Sequence, residues 1–232
     1  MSEAEDDNDD HYGPGYQGWD ELDFSVITSR LRQLPLFDDD MWLGMQAMNV
    51  GLVDMVVTQH ELELLAEYME IERTPMQSAL TVSALSQMWV YGLYEVLRLW
   101  RDRRYQLKKL YDNGGIDLKL ASMPSADEVN LAAHFRRKQL EQYKIDADYR
   151  NLIDRAWERL EPIFRMVELF RMNLAKHSAP GTGTAIPRAP GYGRISMMCG
   201  SMTYELLDKE GFTHFLNRRD IADQLRKALA DV

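Results

Sequence analysis

The chain has 232 residues, of which 45% are hydrophobic and 28% charged, a composition able to build a sizeable core. Its single cysteine, Cys199, excludes an internal disulfide and a cysteine-built zinc site and fits a reducing cytoplasm. No run of eighteen apolar residues occurs and the opening residues lack the basic and apolar regions of a secretory leader, so no membrane contact and a cytoplasmic location are expected.

The formal net charge of −10 is unevenly spread: residues 1–40 hold twelve acidic and two basic side chains. Residues 41–97 add one basic and seven acidic, and 98–188 reverse the sign with eighteen basic against twelve acidic. Charge runs of this kind commonly just face water; the sharper reading is that the basic stretch meets phosphate while the acidic head competes for it or meets a protein partner.

Residues 1–24 are acidic, glycine-bearing and almost free of aliphatic side chains, which predicts a disordered tail; its Tyr12, Tyr16, Trp19 and Phe24 are candidate docking groups. A short helix over 25–35 should stop at Pro35. Asp38, Asp39 and Asp40 precede an apolar run, where a helix N-cap belongs. From Met41 to Glu72 the pattern is helical: Leu43, Ala47, Val50, Asp54 and Val57 recur every three or four residues, with apolar residues flanking the stripe widely. Gly44 and Gly51 allow close packing, and a break near Gln59 and His60 would make two helices. His60-Glu61 lacks the second histidine of a zinc-protease helix. Pro75 and Ser78 open another helix, broadly apolar through Trp89, Leu93 and Trp100, that ends in basic residues near Asp112 and is stopped by Asn113-Gly114-Gly115.

Residues 116–124 read as a connection, and Ser125 with Glu128 as a capping box opening a helix through Tyr143. Asp146 starts a last long helix, interrupted by Pro162 and ending near His177. The Pro/Gly-rich stretch 178–193 is a long loop; Ile186 occupies the final glycine position that a nucleotide-binding loop would need. Three short strands, 194–198, 202–207 and 212–216, should form a meander, followed by a helix capped by Asn217. The expected architecture is mainly α, a helical bundle with a small antiparallel β appendage near the C-terminus. Its parts are a tail (1–24), a helical domain (25–177), a loop (178–193) and a β-meander with a terminal helix (194–232).

Arg171 and His177 lie six residues apart at the end of the late helix, with Asn173 between them. This arrangement resembles the R-x(4–6)-H signature of the HEPN superfamily over roughly residues 77–177, with an upstream helix carrying Trp89, Tyr91, Glu95 and Arg98. Here Met172 stands where family members commonly have a polar residue directly after the arginine. The resemblance implies a metal-independent endoribonuclease of a toxin or defence system, needing no cofactor, with its site built across a homodimer. His177 would act as acid or base, Arg171 would stabilise phosphate charge, and Asn173 would orient the phosphate or the histidine. Lys176, Arg101, Arg103 and Arg104 would add positive potential toward RNA. Asn173 and His177 share a helix face, whereas Arg171 sits about 120° around from His177. The alternative expectation is a non-catalytic helical interaction or adaptor protein, since arginine, lysine and histidine in a last turn also serve the helix dipole.

Overall fold

The computed structural model describes residues 16–124, 130–174 and 193–230. A 3-10 turn, Trp19–Glu21, and a π-helical turn, Val26–Arg30, lead into α1, Leu31–Gln33. Then come α2 (Met41–Ile71), α3 (Met76–Asp112), α4 (Ile116–Ala121), α5 (Leu131–Ile145), α6 (Ala147–Leu174) and α7 (Arg218–Leu229). Three short strands, β1 (Arg194–Ile195), β2 (Met202–Leu207) and β3 (Thr213–Asn217), form an antiparallel sheet in that order ahead of α7. The fold is thus the expected helical assembly with a small meander near its C-terminal end.

Local chemistry sets most of the boundaries. The Asp40 carboxylate accepts from the backbone N–H groups of Trp42 and Leu43 and so starts α2. Asp39 faces elsewhere, accepting from Tyr149 Oη and Gln139 Nε2, which ties the start of α2 to α5 and α6. Gly114, at φ +69°, ends α3. At α7 the Asn217 side chain accepts from the Asp220 N–H, and Asp220 returns the bond to the Asn217 N–H.

Several expectations are corrected. The break at Gln59 and His60 is absent: α2 runs unbroken for 31 residues. No glycine or proline stands at that point, and burial of Val57, Thr58, Glu61 and Leu64 carries the helix through it. Residues 116–121 form a helical turn rather than a plain connection. Asn130, not Ser125, caps α5, accepting from the Ala133 N–H; the expected Ser125–Glu128 box lies outside the described residues. The tail boundary at residue 24 is also too late. Tyr16 donates to Asp220, the Gln17 carbonyl accepts from Arg219, and Leu22 is buried, so residues from 16 onward lie on α7.

α3 is the central helix and packs on α2 and α6. Val90, Leu93, Leu97 and Trp100 from α3 meet Val50, Val57, Ile153 and Val167 in one core. The Trp100 Nε1–H donates to the Pro35 carbonyl at 2.7 Å, fastening the segment before α2 to α3. Gly51 permits a close approach to the turn before α1, since a Cβ there would stand 2.5 Å from the Thr28 backbone.

Candidate functional site

The expected catalytic residues begin at the end of α6. Arg171 is half-buried, its guanidinium 4.5 Å from the centre of the Tyr94 ring on α3. Asn173 is buried: its Nδ2 donates to the Leu169 and Leu207 carbonyls at 2.9 and 3.0 Å, and its Oδ1 accepts the Leu207 N–H at 3.0 Å. Both ends of the amide thus hold the end of β2 against α6. Lys176 and His177 lie outside the described residues.

The expected basic residues of α3 sit along an aromatic seam between α3 and α6. Arg101 lies 4.6 Å over Phe164, which stacks on Tyr94. Arg104 lies 5.6 Å over Trp157, which stacks on Trp100. Each also has a carboxylate: Arg101 pairs with Asp102, Arg104 with Asp154 at 2.7 Å, and Arg103 with Asp40. These cations are therefore engaged within the chain, and Glu95 with Arg98 forms a surface pair at 2.7 Å. A different cation set lines an open cavity of about 710 Å³, where Lys109, Lys119 and Arg136 face the α4–α5 corner. Burial, reinforced by nearby Arg103, lowers the Arg136 pKa.

A second feature joins α2 to the C-terminal segment. Arg218, at the start of α7, is fully buried and donates to Asp54, Thr58 and Glu61, one face of α2 at spacings of four and three. Ser201 Oγ also donates to Glu61, and Arg226 pairs with both Asp54 and Asp223. Arg219 bonds Asp223 and the Gln17 carbonyl. Burial disfavours the Arg218 cation, yet Glu61 and Asp54 outweigh it and push its pKa up. Three arginines thus face three carboxylates. Gly200, at φ +74°, lets the β1–β2 turn pass against the Glu61 carbonyl, where any Cβ would collide. Arg218, Asp54 and Glu61 are fully buried and paired with one another, with Arg219 Nη1 and Arg226 Nε left without a partner beside them, so the cluster serves as a structural clamp.

The opposite face of α2 is exposed and apolar. Met41, Met48, Met55, Leu62 and Met69 occupy one heptad position, and Met45, Leu52, Gln59 and Ala66 the other, alternating in steps of four and three along the whole helix. Met45 is 51% exposed, Leu52 46% and Met69 57%, with Trp42, Val53 and Val56 exposed beside them. No lysine or arginine occurs in α2, and Glu63, Glu67 and Glu70 border the stripe's C-terminal end. A stripe of this spacing receives the side chains of another helix, and methionine adapts readily to such a partner. Sequence reading found the inner stripe, from Leu43 to Val57, and missed the outer one, although its four–three spacing was legible.

Against known families, curated proteins and solved structures the chain finds no match. Among the described residues no helix is long and apolar enough to cross a membrane, and no three His, Cys, Asp or Glu side chains gather as a metal would require.

Proposed function

We propose that the chain is a helical interaction protein that accepts another α-helix along the outer face of α2. One observation carries this reading: a heptad stripe from Met41 to Met69, apolar at every position but Gln59 and exposed except at half-buried Met48 and Leu62, on a helix whose other face is packed. Monomeric proteins rarely leave a contiguous apolar patch beyond a few hundred Å² in water. The basic residues expected to meet RNA on α3 are engaged with carboxylates and aromatic rings, which further favours an interaction role.

The test uses a synthetic amphipathic helix with leucines at its heptad positions and lysines beside them. Titrating it should shift the emission of Trp42, which is exposed on this face. The shift should vanish in Trp42→Phe, and binding should vanish in Leu52→Glu. Equal peptide affinity for the wild type and Leu52→Glu would overturn the reading.

Metal-independent RNA cleavage is a second reading. It rests on Arg171, held on the Tyr94 ring at the end of α6, six residues before His177. It predicts cleavage in EDTA that Arg171→Ala and His177→Ala abolish; RNA left intact by the wild-type protein would remove it.

A further inference from the structure

Building on the helix-docking reading, we propose that the helix received by the outer face of α2 is α2 of a second copy of this chain, packed antiparallel. The stripe is self-complementary in that direction. With the two-fold axis beside Val50, Leu52 of one chain faces Met48 of the other, Met45 faces Met55, and Gln59 faces Met41 at the solvent-exposed ends. Every layer then joins one heptad position to the other, the arrangement of antiparallel coiled coils, and each pairing occurs twice by symmetry.

Charge sets the direction. From Met41 to Gln59 the only ionisable residue is Asp54, and it is buried against Arg218. Two copies can therefore meet along this length without bringing like charges together. A parallel pair would set Glu63, Glu67 and Glu70 of one chain beside the same three residues of the other. An antiparallel pair carries the two acidic segments to opposite ends of the interface, so they do not face each other. The lone polar seam residue, Gln59, falls at the margin of this interface, where its amide keeps contact with water. In a parallel pair it would face its own copy in the middle of the stripe.

Area also permits a self-pair. With pairing confined to Met41–Gln59, two copies would bury on the order of 1,000 Å², about the least that a specific interface needs. That modest area predicts a dimer that dissociates on dilution.

The experiment is light scattering on the full-length chain, with cysteine cross-linking to read direction. The wild type should show twice the 27.0 kDa chain mass at high concentration. Leu52→Glu should return it to a single chain with unchanged helical signal and melting temperature, because Leu52 supports no core contact. Native Cys199 is buried, so introduced thiols can be read without background. Met45→Cys and Met55→Cys should each fail to cross-link alone, whereas the double variant should form a disulfide-linked dimer. Cross-linking by either single variant would overturn the antiparallel direction. A monomeric wild type would overturn the self-pair while leaving helix docking to the peptide titration. A dimer untouched by Leu52→Glu would place the interface elsewhere and, with peptide affinity equally untouched, would overturn both.

Discussion

On the second half of α3 the charged side chains Arg98, Asp102 and Lys108 face outward while Leu97, Trp100 and Leu107 are buried. α2 reverses that partition: Asp54, Thr58 and Glu61 are wholly buried, while Met45, Leu52 and Val56 stand in solvent. Both helices obey the same physics. A charge enters the interior when a fixed counter-charge waits there, as Arg218 does for Asp54 and Glu61. An apolar face left in solvent over such a length is what the proposed helix docking would cover. Polarity alone does not tell inside from outside; the partner decides.

The strongest way to break this contrast is to remove the counter-charge. Arg218→Met leaves Asp54 and Glu61 buried with Arg226 as their remaining cation, which should cost about 3–5 kcal/mol. Thermal unfolding should then fall by on the order of 10 °C for a chain of this size, and an unchanged melt would show that the clamp carries no stability. A smaller loss, about 1–3 kcal/mol, is expected for Asn173→Leu, which strands the Leu207 N–H and carbonyl. Urea unfolding measures it, and RNA cleavage assayed beside it separates the Leu207 contact from any catalytic part of Asn173.

Buried hydroxyls sharpen the contrast through pH. Burial and the neighbouring Asp220 push the Tyr16 phenol up; burial and Asp39 do the same for Tyr149. Burial also raises Tyr204, against its hydrogen bonds to Ser83 and Gln87. A folded pKa above the unfolded value of about 10 means that these groups contribute their full stability below that pH and lose it as pH rises toward the folded value. Stability should therefore fall above pH about 10, with the last part of the tyrosinate absorbance, beyond that of exposed tyrosines such as Tyr105, appearing together with unfolding. Complete phenol ionisation in a still-folded chain at that pH would contradict this. Least affected should be Arg98→Ala on the exposed side of α3: its pairs with Glu95 and Asp102 are solvent-screened, so melting should not change measurably.

Features decided within a few residues were legible in the sequence. The Asp40 cap, the stop at Gly114, the strand 202–207 and the Asn217 cap each rest on local backbone chemistry. What escaped depends on distant partners. Gln59 and His60 read as a break because the burial that sustains α2 there comes from packing against the rest of the fold. Tyr16 and Gln17 read as tail because their anchors, Asp220 and Arg219, lie some two hundred residues away. Asp54 stood inside an apolar stripe without an explanation, since Arg218 is 164 positions distant. For the site, spacing singled out Arg171 and Asn173 without revealing that one rests on Tyr94 and the other holds β2. The outer stripe of α2 was overlooked because a helix apolar on two faces yields no clear sidedness.

The separation of Glu61 from Arg218 also has a consequence for how the protein is made. The guanidinium that neutralises Glu61 is synthesised 157 residues after it, an interval of roughly ten to thirty seconds at ribosomal speed. Throughout that interval the Asp54 and Glu61 carboxylates of α2 lack the Arg218 cation that pairs them in the finished fold. Completion of the acidic patch therefore waits for α7, and a chain truncated before Arg218 leaves Asp54 and Glu61 without that counter-charge.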